Sequence, residues 1–268
     1  MVSPSISTDS ERRNNRHAQS GVLIINADDW GRDSEATDRT LTCILRKAVS
    51  SVSAMMFMED SERGAQLALG AGVDAGLHLN LTTPFSADGV PAALMHHHEK
   101  VVRYLTRHRL AQVFYHPGLQ KSFQYVVAAQ LDEFRRLYQK DPARVDGHHH
   151  MHLCANVLLT GLLPNGTIAR RNFSFRPGQK SFFNRLYRQG MDTILARRHR
   201  LTDYFFSLPP MEPSARLEQI FSLARQFVVE VETHPINPDE FRFLADGELF
   251  GRTGGIPVAS GFVVPSHS

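Results

Sequence analysis

The first apolar run of the chain, Leu23-Ile24-Ile25, gives way within a few residues to Asp28-Asp29-Trp30-Gly31. Such a run reads as a short strand buried on both faces, which belongs in a parallel sheet covered by helices. Two adjacent carboxylates at its end repel each other, and a site that buries both needs a cation or strong donors to keep them charged. A metal ion is the simplest compensation. In alternating α/β chains ligands gather at the carboxyl ends of strands, so position and chemistry agree. The plainer alternative is a strand-to-helix turn in which one aspartate serves as a cap.

The pattern downstream alternates. Leu41, Ile44, Leu45 and Ala48 recur at helical spacing behind a cap at Asp33 or Ser34, residues 51–57 read as a second strand, and residues 61–69 as a helix closed by Gly70-Ala71-Gly72. Residues 74–82 form a third strand on which Leu77, Leu79 and Leu81 share one face and His78, Asn80 and Thr82 the other. That polar stripe points to where the first strand's carboxylates end. Residues 83–118, with Pro84, Pro91 and Pro117-Gly118, read as an insertion suited to a lid over the site. Its His96-His97-His98 run is expected at the surface, because neighbouring residues of a helix or strand cannot all face one ion. Phe123, Val126, Val127, Leu131, Phe134 and Leu137 mark an amphipathic helix to about Lys140. Strands at 167–171, 204–208 and 228–233 then alternate with helices at 181–198 and 214–226, which favours a parallel α/β sheet.

Between them lies Val145-Asp-Gly-His-His-His-Met-His-Leu153, with four histidines in the seven positions from Asp146 to His152. Imidazole is the commonest protein metal ligand, and an aspartate plus two imidazoles with an open position is a usual catalytic setting for zinc. His148 and His152 are four apart and would align if a helix starts here, while His149 is expected to point away. A polar turn before a helix at 157–163 is the alternative.

Composition narrows the class. With 268 residues, 42% hydrophobic and 21% charged, the chain is expected to be a soluble protein with a single domain over 21–268, behind a polar, disordered leader at 1–20. No apolar run approaches the roughly 18 residues that span a bilayer, and the leader lacks a signal-peptide core, so a cytoplasmic location is expected. Cys43 and Cys154 make no disulfide framework and read as buried thiols. The net charge of +3 comes partly from arginines at 12–17 and 196–200 without interleaved aromatics, which suits solvated helix faces and not a nucleic-acid platform. A homodimer is compatible with all of this.

INADDWG at 25–31, GLHLNLT at 76–82, VDGHHHMH at 145–152 and ETHP at 232–235 together resemble the landmarks of the YdjC-like carbohydrate deacetylases, in order and approximate spacing, over residues 21–245. The resemblance implies an irregular or incomplete (β/α) barrel of parallel strands with a metal site at their C-terminal ends. It implies hydrolysis of the N-acetyl group of an amino sugar or N-acetylated glycan, with release of acetate. Carried over by motif, Asp28 is the expected general base, Asp29, His78 and His148 the metal ligands, and His234 a further active-site residue. The family implies Mg2+, and the ligand set is also compatible with Zn2+. Trp30 stands where Phe is usual and Gly147 where Ser or another small residue occurs, and little sequence follows His234 to finish a barrel.

Amide hydrolysis needs an activated water, a stabilised oxyanion and a proton for the departing amine. On this reading Asp28 is left free to take the water's proton and His234 donates to the amine. Glu230 and Glu232 share a face of the strand before His234, and either could orient it. His150, His152, Asn80, Arg171 and Glu230 are expected to contact substrate or support the ligands. Phe173, Phe175 and Arg176 suit either a sugar-stacking wall or the core. Two alternatives remain. A non-catalytic metal or carbohydrate binder would have no use for a free base, and a phosphoesterase would need a phosphate clamp for which only Arg170, Arg171 and Arg176 are candidates.

Overall fold

The computed structural model describes residues 21–108, 110–175 and 181–264, so the leader at 1–20 and Arg176 lie outside the described residues. The strands among them are β1 (Val22–Trp30), β2 (Ser51–Ala54), β3 (Ala75–Leu79), β4 (Arg144–Gly147), β5 (Ile168–Ala169), β6 (Tyr204–Ser207) and β7 (Val228–Thr233). All pair in parallel, in the order β5-β4-β3-β2-β1-β7-β6, and the sheet curls into a half-barrel with helices around it. A bridge joins Ile168 of β5 to Arg200, which precedes β6, and the Ser174 N–H donates to the Phe205 carbonyl at 2.8 Å.

Alternation sorts the strands' side chains into two environments. Leu23, Ile25 and Ala27 of β1, Leu77 and Leu79 of β3, and Val229 and Val231 of β7 join the helices in the main hydrophobic core. The intervening residues face inward and are polar: Asn26, Asp28, His78, Asp146, Glu230 and Glu232. Among these Gly76 makes room, since a Cβ there would lie 2.8 Å from Cζ of Arg144, whose guanidinium crosses beneath it.

The described residues after His234 do not add a strand. They form α8 (Pro238–Ala245), α9 (Glu248–Arg252) and a tail that closes the amino-terminal end of the half-barrel. There Phe262 and Val264 pack with Ile24, Ile168 and Val228, the Phe262 N–H donates to Asp74 at 2.7 Å, and Arg144 lies over the Phe262 ring.

Several helices differ from the periodicity reading. α1 (Ser34–Leu45) is capped by Asp33, which accepts the Ala36 N–H at 2.8 Å, and it buries Ala36, Thr37, Thr40 and Cys43. Small side chains let it lie close on the sheet, which leaves Leu45 70% exposed and Ala48 beyond its end. α2 (Ser61–Ala71) receives Trp30, whose indole N–H donates to the Gly64 carbonyl at 3.0 Å, so the Trp-for-Phe departure concerns helix packing. The stretch at 83–118 expected as an insertion carries α3 (Ala92–Thr106), followed by short 3-10 turns. On α3 Leu94, His98, Val101 and Leu105 form one buried face, so His98 is not at the surface with His96. It stacks on Phe85 at 3.9 Å. α4 (Gln120–Tyr138) buries Phe123, Val126, Val127, Leu131 and Phe134 as its pattern requires. α5 (Ala155–Leu158), α6 (Phe182–Ala196) and α7 (Ser214–Leu223) complete the elements, and both cysteines are buried and free.

Candidate active site

Strict alternation along β1 would send Asp28 and Asp29 to opposite faces of the sheet. The register against β2 shifts between Ala27 and Trp30, and Asp29 adopts φ 63°, a left-handed conformation that aspartate tolerates better than most residues. Both carboxylates therefore reach the carboxyl end of the half-barrel. His78 Nε2 lies 3.4 Å from Asp29 Oδ1 and 3.9 Å from Asp28 Oδ2.

The histidine run follows β4 in a 3-10 turn with His149 at φ 53° and His150 at φ 59°. That backbone sends each ring a different way. His148 Nδ1 comes within 2.9 Å of Asp29 Oδ1, the Thr82 hydroxyl meets His149 Nδ1 at 3.0 Å, and His150 packs edge-on against Phe173 with its Nε2 3.7 Å from Glu232. The expected alignment of His148 with His152 fails because no α-helix starts here. His152 is fully buried and its Nε2 donates to the Arg170 carbonyl at 2.8 Å, away from His148. A Cβ at Gly147 would lie 2.8 Å from the His152 nitrogen, so this tight turn takes glycine.

A buried guanidinium organises the interior. Arg170, just past β5, donates to both oxygens of Asp28 at 2.6 and 2.8 Å, to Glu230 at 2.7 Å and to Glu232 at 3.3 Å, and lies 3.2 Å from Asp146. Asp28 Oδ1 also accepts from the Asn26 side chain at 2.8 Å. The Asp28 carboxylate, expected from sequence to be left free, is instead hydrogen-bonded: Oδ1 has two donors and Oδ2 one, which leaves Oδ2 open on the side of His78 and His234. Asp146 accepts from His78 Nδ1 at 2.7 Å and from Ser53 at 2.6 Å, and Arg144 donates to Asn26 and Ser53 beneath it.

Burial opposes ionisation of every acid here, and partners decide the outcome. Burial pushes Asp28 up, but Arg170 and His78 bring it below the ordinary carboxylate value. Asp29 and Asp146 fall well below it too, the first through His148 and His78, the second through Arg170 and His78. Glu232 goes the other way, raised well above its usual value by burial and by Asp28. Against the cost of burial, Asp28 and Asp146 push His78 up to about 10. Such a surplus of negative charge around one imidazole is the setting that a bound cation would relieve.

The donor set fits a divalent ion. Asp29, His78 and His148 offer one ligand atom each, all buried and within 4.8 Å of one another. Among the described residues the buried Asp29 Oδ1 and His78 Nε2 make no hydrogen bond, although His148 Nδ1 lies 2.9 Å from that oxygen, and a ligated ion would satisfy both. Asp146 supports this, because holding the Nδ1 proton leaves the His78 Nε2 lone pair for a metal. A second group, Asp28, His78 and Asp146, meets the same spacing, but the Arg170 guanidinium already bridges its two carboxylates.

The supporting residues expected from sequence divide. Glu230 orients Arg170 and not His234, whose backbone N–H instead donates to Glu240 at 2.9 Å; its ring Nε2 lies 3.9 Å from Asp28 Oδ2. Asn80 shapes the turn after β3, accepting from the backbone of Thr82 and Thr83 and donating to the Thr83 carbonyl. Arg171 turns away to Asp192 and to the Thr202 and Asp203 carbonyls. Neither arginine is left to clamp a phosphate. Asp146, Arg144, Arg170 and Glu240 were not assigned these roles from sequence, and the one local signal was charged residues at strand positions that a parallel sheet must bury.

Beside the cluster opens a cavity of about 470 Å³ whose walls include His149, His150, Asn172, Phe173, Tyr187 and Arg188. Phe173 stacks on Phe205 at 4.7 Å, so it packs into the core and fronts this space at once.

Residues 22–247 match the family described as YdjC-like protein. A carbohydrate deacetylase of Mus musculus is 27% identical over 141 residues, covering 50% of this chain and 44% of that protein. A chitooligosaccharide deacetylase of Serratia marcescens is 28% identical over 137 residues, covering 49% and 51%. The matches span about half the length of these curated relatives. A crystal structure of an Enterococcus faecalis V583 protein, named for cellobiose-phosphate cleavage, is similar with a TM-score of 0.60 at 17% identity, covering 90% of this chain and 96% of that one. That likeness is one of fold.

Proposed function

The chain belongs to the YdjC-like family, and on that premise we propose that it is a metal-dependent hydrolase that removes the acetyl group from an N-acetylated amino sugar or glycan. The observation that carries the reading is the placement of Asp28 Oδ2. Its one open lone pair lies between the proposed ligand His78 and the half-exposed ring of His234, 3.9 Å from each. A site that only bound metal or sugar would have no use for a carboxylate held ready there. Asp29, His78 and His148 would hold the ion. A divalent ion bound there would make a water acidic and polarise the acetyl carbonyl.

The chain's own residues supply the rest. Arg170 and Asn26 fix the Asp28 carboxylate, and Arg170 keeps it ionised, so it is available as a weak base throughout the neutral range. His234, on the turn after β7 and tied through its backbone to Glu240, stands at the mouth to protonate the departing amine. One carboxylate and two imidazoles suit Zn2+ better than Mg2+, which prefers oxygen ligands, although the family resemblance points to Mg2+.

The test is release of acetate from a panel of N-acetylated mono- and oligosaccharides, with the protein loaded with either ion. Asp28→Asn keeps the shape and most hydrogen bonds, so binding persists while turnover falls by roughly 10²–10⁴-fold. No acetate from any member of the panel, or wild-type turnover in Asp28→Asn, refutes the assignment.

A further inference from the structure

The cavity beside the cluster opens between two surface segments with the same character. One is the stretch after α3, where Leu110, Val113, Phe114 and Tyr115 are exposed. The other is the first half of α6, where Phe182, Phe183, Leu186 and Tyr187 are exposed, Phe183 at 79%. Leu110 and Val113 share the cavity wall with Tyr187, Arg188, His149 and His150, so both segments border the cavity beside the candidate active site. Of the fifteen residues of α6 only Leu195 is buried. A helix with so large an apolar surface left outside the core marks a contact site.

Charge identifies what it contacts. Residues 100–131 contain five Lys or Arg and no Asp or Glu, and residues 172–191 contain four and none once the buried Arg170 and the Asp192-paired Arg171 are set aside. The nearest acid on α6, Asp192, is held by Arg171, and Arg107, Arg185 and Arg188 are in no ion pair with a described carboxylate. Protruding Phe, Tyr and Leu interleaved with unpaired Arg, on a helix lying along the surface, is the arrangement that settles into the headgroup layer of an anionic bilayer. Among the described residues no helix is long and apolar enough to cross a membrane, so the contact is peripheral.

We propose that α6 and residues 110–115 dock on a membrane surface rich in anionic lipid, with the mouth of the cavity turned toward the bilayer. If the deacetylase reading holds, on which this consequence alone rests, the N-acetylated sugar is presented on a lipid anchor.

Vesicle flotation tests the docking without any need for turnover. The probes are vesicles of phosphatidylcholine and of mixed phosphatidylcholine and phosphatidylglycerol. The wild-type chain binds the mixed vesicles, and added salt weakens the binding. Phe114→Ser/Phe183→Ser lowers partitioning by roughly tenfold or more, since two phenyl rings no longer leave water. Arg107→Glu/Arg185→Glu lowers it as well, while circular dichroism and the melting temperature of the Phe variant stay as in the wild type. Asp29→Ala, which removes a proposed metal ligand, floats like the wild type, so failure of the deacetylase reading leaves this result intact. Absence of binding to the mixed vesicles overturns the proposal, as does equal binding to both vesicle types that neither double variant changes. So does concentration-dependent self-association that the Phe substitutions abolish in the absence of vesicle binding, because the face then pairs copies of the chain.

Discussion

Replacing Arg170 by Met would remove the cation around which the interior is built while keeping much of its bulk. The guanidinium is fully buried and is held charged, against the cost of burial, by Asp146, Asp28 and Glu230. Without it Asp28 loses two of its three donors, and Glu230 loses the only hydrogen bond its side chain makes among the described residues. Breaking a buried pair in this way typically destabilises a protein by about 3–5 kcal/mol, because the remaining charge stays desolvated. Protonation of Asp28 or Glu230 recovers part of that, which places the expected loss near the lower figure, about 3 kcal/mol. With a urea m-value of about 3 kcal/mol/M for a chain of this size, the midpoint falls by about 1 M. The loss also has a sign in pH. In the variant the folded-state pKa values of the stranded acids rise above their unfolded values, so the folded form holds extra protons and stability declines as pH rises. The deficit is therefore larger at neutral pH than in mild acid, and Glu230→Gln added to Arg170→Met recovers part of it. Urea titrations at both pH values measure this. A midpoint close to wild type, or a deficit independent of pH, would refute the view that Arg170 neutralises these carboxylates.

Three further outcomes follow from the same geometry. Asp29→Ala, His78→Ala and His148→Ala each lose most bound divalent ion by elemental analysis, whereas His152→Ala keeps it because that ring is bonded to the Arg170 carbonyl; full loading of all three ligand variants would dismiss the site. Asp146→Asn weakens ion binding by roughly 10–100-fold in calorimetric titration, since it no longer fixes the His78 tautomer, and unchanged affinity would assign Asp146 to the fold alone. Burial lowers His98 to about 4, so its contribution is present above the unfolded value near 6.5 and is lost as pH falls toward 4, at most about 3 kcal/mol. Parallel stability curves for wild type and His98→Leu across that window would contradict this.

What could be read in the sequence was what short-range pattern encodes. Leu77 and Leu79 alternate with His78 because β3 has one face toward the helices and one toward the interior, and period two is visible in a single strand. The Asp28-Asp29 pair and the histidine run likewise announce themselves as dense polar groups at the ends of apolar strands, whereas His234 stands out only through the family resemblance. Backbone irregularity was not legible. Nothing adjacent to Asp29, His149 or His150 signals that each sits at positive φ, yet this decides where four side chains point and why His152 leaves the cluster. Arg170 illustrates the other limit, since its partners come from positions 28, 146, 230 and 232 and only the curled sheet brings them together. His98 was misplaced because a run of like residues conceals the four-residue spacing from Leu94 that buries one of them.

The interior also accounts for there being one ion site to propose and not two. Both candidate groups use His78, and they differ in what else lies near their carboxylates. Asp28 and Asp146 share the Arg170 guanidinium, which supplies a fixed positive charge and directed donors in the place a second cation would take. Asp29 has no guanidinium on that side: Arg32 reaches only its Oδ2, from the partly exposed side, and Oδ1 faces the imidazole nitrogens of His148 at 2.9 Å and His78 at 3.4 Å. Compensating one pair of buried acids with an arginine of the same chain, while the neighbouring oxygen and imidazole make no hydrogen bond among the described residues, leaves that position suited to a ligand from solution. Because Arg170 also holds Asp28, the charge that excludes a second ion is the one that sets the proposed base beside the first.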